Sequence, residues 1–202
     1  MTVSAVVFDV GNVLYHWDPR FLYQRLIDDD QALDAFVRDV VTQDWHFQHD
    51  AGRDFADTSA ELIARHPQHR DLIALWGPRF NDSVGPMVTG MERLVADLDD
   101  AGVPLFAITN FSHEFWPPFR ATNPSLFDRF RDILVSGVEK LVKPDPAIYR
   151  LALQRFRLSA CDCLFIDDRL ENVEGARAIS MMAHHFRDEP TLRAELKGIG
   201  LL

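Results

Sequence analysis

The stretch that decides the fold is residues 3–14, VSAVVFDVGNVL. Its first six residues carry no charge, and short apolar runs without polar alternation are typical of strands covered on both faces of a parallel sheet. Asp9 follows this predicted strand at once, and Gly11 comes two residues later. A carboxylate at this position can bind a ligand together with exposed backbone atoms. Asp9 could equally be a helix-capping or loop residue with no role in binding. The stretch therefore predicts a buried first strand followed by a candidate functional carboxylate.

Four further apolar runs follow along the chain, at residues 105–108, 133–135, 163–166 and 182–186. Helix-like patterns separate them, and one of these helices has a clear start, because Asp145 can cap it and Pro146 suits its first turn. Strands and helices that alternate in this way predict an α/β fold with a doubly wound, Rossmann-like parallel sheet.

The segment from residue 18 to residue 86 interrupts this alternation. It shows a helical spacing of apolar residues and no convincing strand, and turn residues bracket it at Asp18-Pro19 and Gly85-Pro86. We expect an all-helical cap over residues 18–86, inserted after the first strand of a core made of residues 1–17 and 87–202. Such an insertion would lie over the carboxyl ends of the strands, where open α/β sheets bind their ligands.

Charge and composition exclude several classes of partner. The 202 residues include 21 Lys and Arg against 31 Asp and Glu, a net charge of −10, and no basic cluster interrupts this acidity. We therefore expect no nucleic acid and no membrane as the main partner. No apolar run is long enough to cross a bilayer, and no basic residue precedes the first run as in a signal peptide. Cys161 and Cys163, the two cysteines, do not suit a disulfide framework, which favours a cytoplasmic location.

Four groups of polar residues follow predicted strands and are candidates for chemistry. Asp9 follows the first strand, Thr109 and Asn110 follow the second, and the pair Asp167-Asp168 ends a later one. Lys143 stands just before a predicted helix, whose amino end is electropositive. A hydroxyl and loop amides can bind an anion, whereas two adjacent carboxylates repel each other unless a cation or a lysine offsets them. Oxygen ligands favour Mg²⁺. Each group alone has a plain structural explanation, but the four together predict a site.

Three motifs make the chain similar to a known family. They are FDVGNVL at residues 8–14, KPDPAIY at residues 143–149, and FIDD at residues 165–168, followed by Asn172 and Gly175. On these motifs the chain resembles the haloacid dehalogenase-like (HAD) hydrolase superfamily, subclass I, which carries a helical cap after its first strand. The resemblance covers essentially the whole chain.

A narrower likeness indicates a substrate class. The opening Asp-x-Gly-Asn-Val, residues 47–49 (FQH) and residues 115–117 (FWP) are most similar to bacterial sugar-phosphate phosphatases of the α-glucose-1-phosphate phosphatase type. This resemblance implies a Mg²⁺-dependent phosphatase that acts on a small phosphorylated metabolite, with a sugar phosphate favoured.

The resemblance also implies a nucleophile and a metal site. Asp9 would attack phosphorus and form an aspartyl-phosphate, a recognised use of a carboxylate nucleophile. The Asp9 side chain, the backbone carbonyl of Gly11 and the side chain of Asp168 would hold Mg²⁺, with Asp167 close by.

A second set of residues is implied for the phosphate. Thr109 and the amide of Asn110 would hold phosphoryl oxygens, and Lys143 would neutralise both the phosphate and the Asp9 carboxylate. Catalysis would then consist mostly of positioning and charge stabilisation, as expected for phosphoryl transfer.

Gly11 departs from the common phosphatase pattern, which has an aspartate two residues after the nucleophile. That side chain normally protonates the leaving group and activates water, a contribution of typically about 10²–10⁴-fold. Three explanations remain open. The substrate carries a better leaving group, such as an anomeric or acyl phosphate; another residue (His16, His46 or His49) supplies the proton; or the protein is catalytically weak.

Two other functional classes share the scaffold. A 2-haloacid dehalogenase has the nucleophilic aspartate and needs no metal, but it usually has small uncharged residues where this chain has Asp167 and Asp168. A catalytically weak binding protein on a degenerate HAD scaffold is suggested by Gly11 and disfavoured by the retention of Asp9, Thr109, Lys143 and Asp168. The paired acids therefore favour a Mg²⁺ enzyme.

Overall fold

The fold is described by a computed structural model over residues 3–202, so the first two residues of the predicted core lie outside the description. The strands are β1 (Ala5–Phe8), β2 (Tyr15–Trp17), β3 (Val84–Met87), β4 (Leu105–Thr109), β5 (Asp132–Val135), β6 (Cys163–Asp167) and β7 (Met182–His185). The α-helices are α1 (Pro19–Tyr23), α2 (Asp30–Asp39), α3 (Gln43–Asp50), α4 (Phe55–Arg65), α5 (Arg70–Ala74), α6 (Met91–Asp100), α7 (Trp116–Thr122), α8 (Pro124–Phe127), α9 (Ser136–Glu139), α10 (Pro146–Phe156), α11 (Leu170–Ala178) and α12 (Glu189–Gly198). Within residues 3–202, no helix combines the length and the apolar character that crossing a membrane requires.

A five-stranded parallel sheet forms the centre of the molecule, in the order β5-β4-β1-β6-β7. Phe8 pairs with Ala107 on one side and with Ile166 on the other, so the carboxyl ends of the three central strands meet at one edge. The five strands predicted from apolar runs are confirmed. The protein has the predicted α/β fold with a doubly wound sheet.

Helices cover both faces of this sheet, as the apolar character of its strands requires. Successive residues of β1 point to opposite faces. Val6 and Phe8 belong to the buried cluster that includes α6 and α12, whereas Ala5 and Val7 belong to the cluster that includes α10 and α11. Asp145 caps α10 as expected, because its carboxylate accepts a hydrogen bond from the backbone two residues on, at 2.8 Å.

The prediction that residues 18–86 contain no strand is wrong at its end. β3 pairs with β2 in an antiparallel ribbon, in which Trp17 faces Val84 and Tyr15 faces Met87. The Gly85-Pro86 pair, interpreted as a turn, lies inside β3. A two-stranded ribbon tolerates proline because each strand has an unpaired edge. Glycine suits its neighbour because a Cβ at position 85 would lie 2.6 Å from the Phe21 ring.

Five helices, α1–α5, occupy most of residues 19–74. Their packing centres on Trp76, which is 1% exposed. The Tyr23 ring stacks on Trp76 with centroids 5.9 Å apart, and the Trp45 ring lies 6.0 Å away. The division into a core and a cap, with boundaries at residues 18 and 86, stays a prediction.

Candidate active site

A buried lysine joins two carboxylates at the carboxyl edge of the sheet. Lys143 is 2% exposed, and its Nζ lies 2.8 Å from Asp9 Oδ1 and 2.7 Å from Asp167 Oδ2. Burial acts to lower the pKa of Lys143, but the charges of Asp167 and Asp9 outweigh it, and the net shift is upward. The lysine is therefore held charged between two acids that come from neighbouring strands.

Asp167 is fully buried, and its contacts hold Lys143 in place. Besides Lys143, it accepts hydrogen bonds from Asn172 Nδ2 at 3.0 and 3.1 Å and from the amide of Arg169 at 2.9 Å. Asn172, in the first turn of α11, therefore orients the Asp167 carboxylate, and this carboxylate in turn orients Lys143. With both oxygens engaged, Asp167 orients Lys143 and does not face the cavity described below.

Asp9 keeps one oxygen available. The amide of Val10 (2.7 Å) and Lys143 both contact Oδ1, and no hydrogen bond to Oδ2 occurs among the described residues. Burial raises the pKa of Asp9 to about 7, and the charges of Asp167 and Asp168 act in the same direction, against Lys143. The cluster thus holds more negative charge than one lysine offsets.

This excess charge fits a hard cation. Asp9, Asp167 and Asp168 each offer a carboxylate oxygen, and these oxygens lie within 4.8 Å of one another. Burial, followed by the charge of Asp167, raises the pKa of Asp168 as well. Oxygen donors of this type suit Mg²⁺. Asp9 and Asp168, which line the cavity together with Gly11, are the residues that could hold it.

A cavity of about 370 Å³ opens over this edge of the sheet. Its wall includes Asp9, Lys143 and Asp168 from the sheet side and His46 and Asp50 from α3. The carbonyl oxygen of Asp50 accepts a hydrogen bond of 2.6 Å from the hydroxyl at the start of α9, which ties the end of α3 to the sheet. Helix α3 and the sheet edge therefore line the same cavity.

Thr109 and Asn110, at the carboxyl end of β4, differ in their access to the cavity. Asn110 lines the cavity, but its side chain is committed to the backbone of Lys143, donating from Nδ2 at 3.0 Å and accepting at Oδ1 at 2.9 Å. Its backbone amide is what it can offer to an anion. Thr109 is 1% exposed and is not among the residues of the cavity wall, so its contact with a phosphate stays a prediction. Arg169, which sequence reasoning passed over, also lines the cavity, and its guanidinium pairs with Glu171 at 2.5 and 2.6 Å.

The structure brings one of the three candidate histidines to the cavity. His16 is exposed on β2, and His49 is enclosed in the helical segment, where its Nε2 lies 2.7 Å from the Thr58 hydroxyl. His46 lines the cavity, but burial lowers its pKa to about 3. A neutral imidazole is a poor acid, so the structure does not favour a histidine as proton donor.

Asp50 is a cavity residue that sequence reasoning missed. It is 6% exposed; its Oδ2 lies 3.5 Å from His46 Nε2, and its Oδ1 has no hydrogen-bond partner among the described residues. Burial raises its pKa well above the usual range, with the charge of Asp9 acting in the same direction. The signal available in the sequence was the spacing of His46 and Asp50, four residues apart on one helix.

Comparisons with known proteins place this geometry in a family. A profile of the haloacid dehalogenase-like hydrolases matches residues 3–180. The sesquiterpene phosphatase astK of Aspergillus oryzae is 27% identical over 202 residues, an alignment that covers 97% of this chain and 96% of that protein.

Solved structures share the fold. The HAD family enzyme bt-2542 of Bacteroides thetaiotaomicron, in complex with magnesium and inorganic phosphate, superposes with a TM-score of 0.69 at 17% identity, covering 92% of this chain and 95% of that one. The L-2-haloacid dehalogenase of Xanthobacter autotrophicus superposes with a TM-score of 0.63 at 14% identity, covering 100% and 85%. At these identities the likeness shows the fold alone.

Proposed function

Because the chain belongs to the haloacid dehalogenase-like hydrolases, we propose that this hydrolase is a Mg²⁺-dependent phosphatase acting on a small phosphorylated metabolite. The observation that carries the proposal is the buried Lys143 bridge between Asp9 and Asp167, beside Asp168 in one cavity. The name of the A. oryzae relative, a phosphatase matched over nearly its whole length, supports the same reaction.

Asp9 is the proposed nucleophile. Lys143 and the amide of Val10 fix Oδ1, which leaves Oδ2 to form the bond to phosphorus while the ester P–O bond breaks. The leaving oxygen keeps that electron pair and takes up a proton. Water then attacks the aspartyl-phosphate, loses a proton, and releases inorganic phosphate and free Asp9.

Positive charge at this edge holds the phosphate. Lys143 and the amide of Asn110 are the proposed donors to phosphoryl oxygens. Arg169, whose Nε and Nη2 pair with Glu171, can add its remaining Nη1. Mg²⁺, when bound by Asp9, the Gly11 carbonyl and Asp168, supplies charge neutralisation for the phosphoryl group. Preorganised charges of this kind stabilise a transition state without having to reorganise during the reaction.

Asp50 is the group best placed to protonate the leaving oxygen. It lines the cavity, its Oδ1 is unpartnered among the described residues, and burial keeps its carboxyl protonated to a higher pH than an ordinary aspartate. Gly11 offers no side chain for this purpose. Asp50 would thus supply from α3 the acid that the common pattern supplies from position 11.

The helical segment of residues 18–86 acts in this proposal as a cap. Its α3 contributes His46 and Asp50 to the cavity, and the bond to the Asp50 carbonyl holds α3 against the sheet edge. Lids of this kind exclude water and complete the site around the substrate.

The decisive experiment combines phosphate release with trapping of the intermediate. The native chain should release phosphate with Mg²⁺ and lose that activity on chelation, and rapid quench should show a phosphoryl adduct on Asp9. Asp9→Asn should remove both, because an amide is a far poorer nucleophile, while Asp128→Asn, at an exposed position, should leave both intact. Phosphate release that survives chelation, an adduct on another residue, or metal-free halide release from a 2-haloacid would overturn the proposal.

A further inference from the structure

Six aromatic rings that line the cavity form an unbroken series of ring contacts, which we name the aromatic collar: Tyr15, Trp17, His46, Phe80, Phe111 and Phe119. From this collar we propose that the substrate is a phosphate monoester of an apolar alcohol, whose hydrocarbon part lies against these rings. The inference rests on the proposed phosphatase function and names its substrate class.

The first half of the collar follows the sheet edge. The ring centroids of Tyr15 and Phe119 are 5.3 Å apart, those of Phe119 and Phe111 are 5.4 Å apart, and those of Phe111 and Phe80 are 5.2 Å apart. Contacts at these distances are within the usual range for packed aromatic pairs, so each ring supports the next.

The second half returns through the helical segment. The Phe80 ring is stacked on His46 at 5.8 Å, and His46 is stacked on Trp17 at 4.6 Å. Trp17 and Tyr15 both belong to β2, and both line the cavity. The series of rings thus begins and ends on the same short strand and lines the space next to Asp9.

The collar carries four polar side-chain atoms, and two of them face partners within the protein. The Tyr15 hydroxyl donates to Asn123 Oδ1 at 2.9 Å. His46 Nε2 faces Asp50, the proposed acid, at 3.5 Å. Trp17 Nε1 and His46 Nδ1 are the collar atoms that have no partner among the described residues. Two ring nitrogens cannot satisfy the several hydroxyls of a sugar.

Desolvation therefore separates apolar alcohols from sugars. A hydroxyl buried without a partner loses its bonds to water and gains none, whereas a hydrocarbon gains from leaving water. The collar thus favours an alkyl or aryl group over the sugar that the narrower sequence likeness implied, while Asn12 and Gln43 line the cavity outside the collar. The cavity volume of about 370 Å³ suits a small molecule of this kind together with its phosphate.

The test is a homologous series with one reacting group. The native chain, with Mg²⁺, is assayed on n-alkyl phosphates from ethyl to octyl, below their micellar concentrations, and on glucose 1-phosphate and glucose 6-phosphate. We expect kcat/KM to rise by up to about fourfold for each added CH₂ until the collar is full. We also expect both glucose phosphates to be poorer substrates than hexyl phosphate.

Two variants locate the effect. Trp17→Gln, at a half-buried ring of the collar, should reduce the octyl-to-ethyl ratio of kcat/KM about tenfold or more. Phe156→Leu removes a buried ring that stacks on Phe106 at 4.7 Å on the opposite face of the sheet, and it should leave that ratio unchanged. A flat alkyl series, or a ratio that both variants lower equally, would refute the inference.

Binding measured without turnover separates the two proposals. n-Alkylphosphonates cannot be hydrolysed, and calorimetry should show their affinity rising with chain length in the native chain and in Phe156→Leu. If no ester is hydrolysed but this chain-length dependence appears, the phosphatase proposal fails and the apolar site stands. If glucose phosphates are hydrolysed faster than every alkyl phosphate, the phosphatase proposal stands and the collar inference fails.

Discussion

Replacing Lys143 with methionine should destabilise the protein by about 3–5 kcal/mol, the usual cost of removing one partner from a buried ion pair. The structure places the effect at the upper end. Lys143 Nζ contacts Asp9 and Asp167, which are 7% and 0% exposed. Asp167 keeps its bonds from Asn172 and the Arg169 amide, whereas Asp9 keeps only the amide of Val10. Asp9 is therefore the charge left uncompensated.

Urea unfolding, followed by tryptophan fluorescence, measures this loss. With a slope of about 2 kcal/mol/M, a loss of about 5 kcal/mol lowers the midpoint by about 2.5 M. The loss should be greater at pH 8 than at pH 5, because Asp9 without its lysine binds a proton more tightly when folded and is relieved of its charge as the pH falls. The control is Lys197→Met, at an exposed position in α12. A midpoint no lower than that of the control, at both pH values, would refute the reasoning.

The remaining predictions concern the proton donor and the buried histidines. Asp50→Asn should lower kcat by about tenfold or more for esters with poor leaving groups and much less for aryl phosphates. Adding Gly11→Asp to this variant should restore part of the lost kcat, because a Cβ at position 11 would have no atom within 4 Å. An equal loss of kcat for good and poor leaving groups would contradict the role of Asp50 as acid and the expected rescue. Burial lowers the pKa of His49 to about 4, so the folded state resists its protonation, and stability should fall as the pH drops from about 6.5 towards 4. His49→Gln should reduce the slope of unfolding free energy against pH by up to about 1.4 kcal/mol per unit; an unchanged slope would exclude His49 as its source.

The sheet could be predicted because its signal is local. A strand buried on both faces needs a continuous apolar run, and each of the five runs gave a strand. β2 and β3 gave no such signal, since they contain three and four residues and pair across almost seventy positions of chain. Pairing at that distance is decided by tertiary packing, here by the Phe21 ring against Gly85.

The residues of the site likewise divide into those with a local signal in the sequence and those without one. Asp9 and Asp168 could be proposed because each follows a strand end, and Lys143 because it precedes the capped helix α10; the structure brings all three to one cavity. Asp50 could not, because the buried face of α3 consists of Trp45, His46, His49 and Asp50, a helical spacing that hydrophobicity does not reveal. The aromatic collar is likewise a product of tertiary structure, since its rings come from β2, α3, α7 and loops.

The β2–β3 ribbon makes the helical segment an exchangeable module. The chain leaves the sheet at Trp17 and returns at Val84, its direct partner, so the two junctions are side by side. A segment with adjacent ends can be lengthened, shortened or recombined with another without changing the register of the five central strands. Such an exchange would replace His46 and Phe80, two rings of the collar, together with Asp50, the proposed acid, and would keep Asp9 and the lysine beside it. In evolution or in the laboratory, one splice at this ribbon would therefore change the contacts to the leaving group and keep the proposed nucleophile.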